Sequence, residues 1–223
     1  MTFLELCQRL RQEAGISGSG PVSVLGQTGE MKRVVDWIST AYEDIQNMHN
    51  SWRFLRADFS FPTINNVQDY TPAAVNLPEF AEWMRDDLRI YQTSVADETY
   101  LSYVPWAAFR QNYLFGSQRT ETSRPTIVSV RPNTALSLWQ VPNGAYTVSG
   151  EYFKTADIMT ANASVPVIPA RFQLIIVWKA LMYYGAYAAA DEKYAHGNNE
   201  FKTMKSRLEL DQLDRATYGA PLA

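Results

Sequence analysis

The sequence predicts an α+β protein, with a helical bundle from the N- and C-terminal segments and an inserted, largely antiparallel β lobe. Two observations support this prediction. Apolar residues recur at three- and four-residue spacing near both ends of the chain, whereas the middle third alternates apolar and polar residues between turn-forming residues. We expect residues 1–55 and 165–223 to form the helical bundle domain, and residues 56–164 to form the β-rich lobe.

The N-terminal segment contains two predicted helices. Residues 3–13 place apolar side chains, including Cys7, on one face, and this helix should end at Gly15. A Gly/Ser-rich segment over residues 15–27 then breaks both helix and strand. Thr28 is suited to be the N-cap of a second, amphipathic helix that should end near residues 49–51.

The middle third predicts a sheet with one short helix. Residues 58–61 alternate as a half-buried strand does, and residues 67–71 are expected to return as the second strand of a hairpin. Residues 105–115 predict a helix lying against the sheet. The other expected strands are residues 87–93, 125–130, 134–139 and 145–153.

The C-terminal segment predicts two helices. Pro169 marks the start of a run that is apolar nearly all round to about residue 190, as expected for a helix packed on several sides. Arg171, Gln173 and Lys179 interrupt the ~20 apolar residues that a membrane span needs, so we expect no membrane contact. A second, narrower helix is expected over residues 200–215, after a break at residues 197–199.

Charge and reactive side chains exclude several classes of function. The chain has 223 residues and a formal net charge of −3, which argues against a protein that wraps nucleic acid tightly. One cysteine and two histidines, His49 and His196, offer no zinc or iron ligand set, so we expect no metal and no cofactor. The glycines of residues 15–27 lack the spacing of a nucleotide-binding loop.

No catalytic motif is evident, and we expect a protein that is not an enzyme. The carboxylate pairs Asp86-Asp87 and Asp191-Glu192 are adjacent in sequence, so their side chains point in different directions. Scattered residues can still form an active site, and an enzyme remains an alternative. A single-strand-binding protein is another, because four arginines of the middle third lie among aromatic residues. These are Arg110, Arg119, Arg124 and Arg131.

Aromatic residues are plentiful, with 6 Trp, 13 Tyr and 10 Phe, and aromatic enrichment is typical of protein interfaces.

Glu5 and Arg9 interrupt the start of the chain where a signal peptide would be apolar. We therefore expect that the protein either stays in the cytoplasm of the cell that makes it or enters a particle assembled there.

Several blocks of the sequence are distinctive, and the first includes Gly-Ile-Ser-Gly-Ser-Gly-Pro while a later one includes Trp-Arg-Phe-Leu-Arg. These blocks resemble the head-to-tail adaptor, or connector, proteins of tailed double-stranded-DNA bacteriophages. The matching blocks are residues 6–21, 26–30, 35–38, 52–56, 59–61 and 167–185, together about a quarter of the chain.

The resemblance implies a non-enzymatic virion protein of the neck, between capsid and tail. Such proteins form a homo-oligomeric ring, usually a dodecamer, that docks on the portal protein and extends the DNA channel to the next tail or neck protein. DNA passes through the lumen without sequence-specific binding. The C-terminal tail of such proteins docks on the portal, which here implies Leu213, Tyr218, Pro221 and Leu222. A tail terminator or another tail structural protein is the nearest alternative.

Overall fold

A computed structural model describes residues 1–92 and 95–214, and the predicted α+β fold class is confirmed. The described residues form five α-helices and eleven strands. The helices are α1 (Phe3–Ala14), α2 (Gly29–Gln46), α3 (Trp106–Tyr113), α4 (Leu174–Tyr187) and α5 (Asp191–Gln212). The strands are β1 (Arg56–Pro62), β2 (Asp69–Tyr70), β3 (Phe80–Trp83), β4 (Arg89–Tyr91), β5 (Thr99–Tyr100), β6 (Ser102–Tyr103), β7 (Thr122–Ser123), β8 (Ile127–Val130), β9 (Leu136–Trp139), β10 (Val141–Pro142) and β11 (Thr147–Lys154).

The chain divides into two compact units. The helical unit comprises Met1–Leu55 and the described residues from Ala156 onward, and the β lobe comprises Arg56–Thr155. The sequence placed the second boundary later, between residues 164 and 165. Residues 156–164 pack with the helices because Met159 is buried among them and Asp157 accepts a 2.7 Å hydrogen bond from the Tyr42 hydroxyl.

The helical unit is organised around α4, which packs against α1, α2 and α5. Ile175, Ile176 and Leu181 of α4 are fully buried, in keeping with a helix that is apolar nearly all round. A 3₁₀ turn, Ala170–Phe172, precedes α4, so the α-helix begins at Leu174 rather than beside Pro169 as the sequence predicted.

The last helix is longer than the sequence predicted. It begins at Asp191, and the glycine and asparagines of residues 197–199 lie within it instead of breaking it. A Cβ atom at Gly197 would lie 3.0 Å from the Trp178 carbonyl oxygen of α4. The glycine is therefore explained by the close approach of two helices, and tertiary packing outweighs its low helix propensity.

The β lobe contains two larger sheets around a shared core and a small third sheet formed by β7 and β10. The first has the order β1-β11-β4-β5, with β3 also paired to β11, and the second has the order β2-β9-β8-β6. Pairing is antiparallel except in two short ladders, β6 with β8 and β7 with β10. The core residues between the sheets include Phe59, Phe61, Val128, Leu138 and Val148.

The predicted hairpin over residues 58–71 is wrong. β1 pairs along its full length with β11, from Arg56 opposite Phe153 to Pro62 opposite Thr147. β2 has only two residues and pairs with β9 in the other sheet. A seven-residue strand gains more ladder hydrogen bonds and cross-strand contacts from an eight-residue partner than from a two-residue one.

Candidate functional site

The C-terminal end of α5 carries the described part of the predicted docking segment. Leu213, the residue after the helix, is half-buried against the core of the helical unit. Tyr218, Pro221 and Leu222 lie outside the described residues. The structure therefore describes only the start of this segment, where the chain leaves α5.

A shallow apolar groove lies at this end of α5. Its volume is about 390 Å³. Leu210, which lines it, is 71% exposed, whereas Leu208, two residues earlier and on the other side of the helix, is fully buried. The lining residues are Ser206, Glu209, Leu210, Leu213 and Asp214. An exposed leucine next to a half-buried one provides the kind of apolar surface that a partner protein covers.

Two ion pairs and one histidine hydrogen bond hold the end of α5 against earlier parts of the chain. Arg53, in the 3₁₀ turn Arg53–Leu55, lies 3.3 Å from Asp214, and Arg171, before α4, pairs with Asp211. The Nε2 atom of His49 lies 2.8 Å from an oxygen of Glu209. These contacts join the last turns of α5 to both segments of the helical unit, so the place where the chain leaves α5 is held by residues from each.

The acidic members of these pairs show the electrostatic effect of their partners. For Glu209, burial favours the neutral acid, but hydrogen bonds from His49 and Lys205 outweigh it and lower the pKa. For Asp211, the Arg171 hydrogen bond is the main reason that the pKa is lowered. Both groups are therefore carboxylates near neutral pH, and their charge is matched by neighbouring cations.

The four arginines that the sequence grouped into a basic patch do not all lie together. Arg110, Arg119 and Arg131 line one groove of about 570 Å³ beside α3, as the basic patch suggested by the sequence requires. Arg124 does not join them. It forms an ion pair with Asp97 at 3.3 Å and donates to the carbonyl oxygens of Ile90 and Asp97, so its role is to hold β4 and the following turn.

The histidines and acidic pairs have structural partners. His196 packs its ring edge-on against Trp178, and His49 pairs with Glu209. Asp87 accepts two hydrogen bonds from Arg89, and Asp191 and Glu192 occupy the first turn of α5, where the helix dipole favours negative charge. Within residues 1–92 and 95–214, no group of three or more histidine, cysteine or acidic residues is arranged to hold a metal ion.

The helices of the described chain include none long and apolar enough to cross a membrane. Fold and surface together define an α+β protein whose main described features are apolar and basic grooves bordered by ion pairs. Such surfaces are typical of proteins that act through contacts with other proteins.

The chain belongs to the SU10 adaptor protein family, whose model matches residues 1–223. This membership agrees with the resemblance found in the sequence and makes the protein a phage structural adaptor. It also favours a non-enzymatic role. No curated protein matches the chain.

Sequence reasoning missed the residues that position the docking segment. Arg53 and Arg171 lie 161 and 40 residues from their acidic partners, so no local pattern connects them. The only sequence signal was that both arginines lie close to helix boundaries. Arg171 follows Pro169, and Arg53 follows the turn after α2.

Proposed function

We propose that this protein is a head-to-tail adaptor that docks on the portal ring, oligomerises and extends the DNA channel to the tail. The match to the SU10 adaptor family over residues 1–223 is the observation that carries the proposal. The protein would assemble in the host cytoplasm and lie at the virion neck. Repeated identical contacts between copies would close into a ring, and the resemblance to adaptor proteins implies about twelve copies.

Portal docking is proposed for the end of α5 and the segment after it. Leu210 and Leu213 supply apolar surface at the base, and Tyr218, Pro221 and Leu222 would extend it. The ion pairs at Asp211 and Asp214 support this assignment, because a segment that leaves from a fixed point loses less entropy on binding.

The charge of the chain suits a conduit. A formal net charge of −3 gives the protein no general attraction for the DNA backbone, so DNA can pass through a lumen without being held. The β lobe would contact the next tail or neck protein.

Co-sedimentation with purified portal rings tests the docking assignment. We expect a variant with Tyr218→Ala and Leu222→Asp to lose about tenfold or more in portal affinity, because two apolar anchors are removed. Thr217→Ala is the matched control within the same segment and should bind as the wild type does. Equal binding by all three proteins would contradict the docking assignment.

The same experiment with tail-tube proteins in place of the portal separates this proposal from a tail terminator. A protein that binds tail tubes but does not bind portal rings would favour the terminator. We expect the opposite result.

A further inference from the structure

The β lobe has two sides that differ in chemistry. On the second sheet, Val128 and Leu138 face the core, whereas the alternate residues Ser137 and Trp139 face away from it. α3 covers that outer side: the Tyr113 ring packs 4.6 Å from the Trp139 ring, centroid to centroid. The lobe is therefore layered as first sheet, core, second sheet and α3.

The groove on the α3 side is basic and aromatic. Arg131 and Trp106 both line the groove, and the guanidinium of Arg131 lies 4.9 Å from the centre of the Trp106 ring. Arg131 also pairs with Asp69 at 2.9 Å. Arg110 and Arg119 are exposed, and neither has an acidic partner among the residues that the structure describes. Phe115, on the rim, is 78% exposed. Arg119 donates two hydrogen bonds to the Leu114 carbonyl oxygen, which leaves its charge without a counter-ion. The groove thus offers two cations that have no acidic partner, and an aromatic anchor.

The opposite side of the lobe carries two carboxylates that face each other, with Arg89 and Arg56 nearby. On the first sheet, Asp58 lies directly opposite Glu151 across the β1–β11 ladder, and both alternate with the core residue Phe59 or Tyr152. Like charges in this position destabilise a sheet. Neither carboxylate has a cationic partner within residues 1–92 and 95–214. The nearby Arg89 already binds Asp87 at 2.7 Å.

Arg56 adds a positive charge at the end of the same face, where it lies over the Phe153 ring. In the ladder it lies opposite Phe153, two residues from Asp58. Asp58 and Glu151 are two like charges side by side on this face, which a cationic surface would stabilise.

We propose that adjacent copies join head to tail through their β lobes, with the α3 groove of one copy receiving the Asp58 and Glu151 face of the next. The cations that lack an acidic partner would meet the carboxylates that lack a cation, and Phe115 would be covered. Because the two surfaces lie on opposite sides of one compact unit and share no residue, the contact is heterologous, the kind that closes into rings.

This inference rests on the proposed function, which requires a ring but does not say which surfaces form it. The test is electron microscopy and sedimentation of the full-length protein, alone and with portal rings. A groove variant, Arg110→Glu with Arg119→Glu, and a face variant, Asp58→Lys with Glu151→Lys, should each self-associate about tenfold or more weakly than the wild type. Their equimolar mixture should assemble again, into rings in which the two variants alternate, because opposite charges then face each other at every junction.

The chain carrying all four reversals is the decisive variant, since opposite charges again face each other at every junction, and we expect it to regain rings. Lys202→Glu with Arg207→Glu, on the exposed side of α5, makes the same change in net charge as the groove variant and should assemble normally. Circular dichroism of each variant checks that the fold is retained.

The outcomes separate the two proposals. If the wild type never assembles on portal rings, the proposed function fails. If the wild type assembles and the groove and face variants assemble equally well, only this inference fails. A single-stranded oligothymidine that binds the wild type with steep salt dependence, but not the groove variant, would also overturn it in favour of nucleic acid as the occupant.

Discussion

Tyr42 shows how one side chain joins three segments of the helical unit. Its hydroxyl group donates to Asp157 at 2.7 Å and accepts a 2.9 Å hydrogen bond from the backbone N–H of Val167. The side chain of Gln46, one turn further along α2, donates to the Asp157 carbonyl oxygen and accepts from the Asp157 N–H. These bonds draw the chain that returns from the β lobe onto α2.

Replacing Tyr42 by phenylalanine should cost about 1–2 kcal/mol of unfolding free energy at pH 7. The variant keeps the ring but leaves the Val167 N–H without its acceptor. Urea unfolding followed by circular dichroism measures the difference. Tyr187→Phe is a control, because that ring is 58% exposed and its hydroxyl accepts only an exposed hydrogen bond from Arg33, which water can replace. It should shift stability by no more than about 0.5 kcal/mol.

The Tyr42 variant should also alter the response to alkali. Burial is the main cause that raises the pKa of Tyr42 above its usual 10.0, so the fold favours the neutral phenol. A raised pKa gives stability that is present below pH 10 and is lost as the pH rises further. The phenylalanine variant lacks this loss, so its deficit relative to the wild type should shrink above about pH 10. A deficit that stays constant with pH would contradict this.

Gly185 permits the close approach of α4 and α5. An added Cβ would lie 2.7 Å from the Tyr194 backbone nitrogen and 2.9 Å from its Cα. Helix propensity alone predicts that Gly185→Ala stabilises by about 1 kcal/mol, whereas the clash with backbone predicts a loss of about 1–3 kcal/mol. We expect a net loss in thermal or urea unfolding. Ala186→Leu, next to it and exposed, should be nearly neutral, and a stabilising Gly185→Ala would show that the helices can separate freely.

At the scale of elements, the Gly/Ser-rich segment is held by specific bonds. The Asn162 side chain accepts hydrogen bonds from the Val24 N–H at 2.7 Å and the Ser23 hydroxyl at 3.2 Å. Val24 itself is buried in the helical core. This segment, which breaks regular structure, is therefore bound to the helical unit by a residue far along the chain.

Asn162→Ala should release this segment while the helices remain. Hydrogen exchange of the Val24 amide should accelerate about fivefold or more, since about 1 kcal/mol of hydrogen bonding is lost. Amides in the middle of α1 serve as the internal reference and should exchange as before. Unchanged protection at Val24 would mean that the buried side chain alone holds the segment.

Elements with regular periodicity were predictable, and those set by distant contacts were not. The stripe of α2 and the turn at Gly15, which is left-handed with φ of 77°, follow from local patterns. The pairing of β1 with β11 does not, because its partners are about ninety residues apart in the chain and a nearer segment offered a plausible hairpin. The prediction of a helix break at Gly197 was wrong for the same reason. The glycine is needed for the close contact with Trp178 of α4, which the local sequence does not reveal.

The candidate sites were predictable to different degrees. The sequence gathered four arginines into one patch, and three of them line the α3 groove. Arg124 differs because its partners, Ile90 and Asp97, come from β4 and the turn after it. The face formed by Asp58 and Glu151 had no signal, because strand register alone brings the two carboxylates together.

At the scale of the whole molecule, the β lobe is an insertion whose two ends meet. Arg56 and Phe153 are direct partners in an antiparallel ladder, so their Cα atoms lie about 4.5–5.5 Å apart. Joining Leu55 to Ala156 through a short Gly-Ser linker should leave a helical unit that folds cooperatively, with greater helical content per residue. Circular dichroism and urea unfolding test this. A molten product would show that the helices need the lobe.

The central claim is that this adaptor builds a ring on the portal, and the mass of the complex tests it most directly. Portal rings saturated with the full-length protein and analysed by native mass spectrometry should carry one complete ring, with as many adaptor copies as the portal has subunits. Portal rings that remain bare, or that bind a variable number of copies at random, would contradict the account.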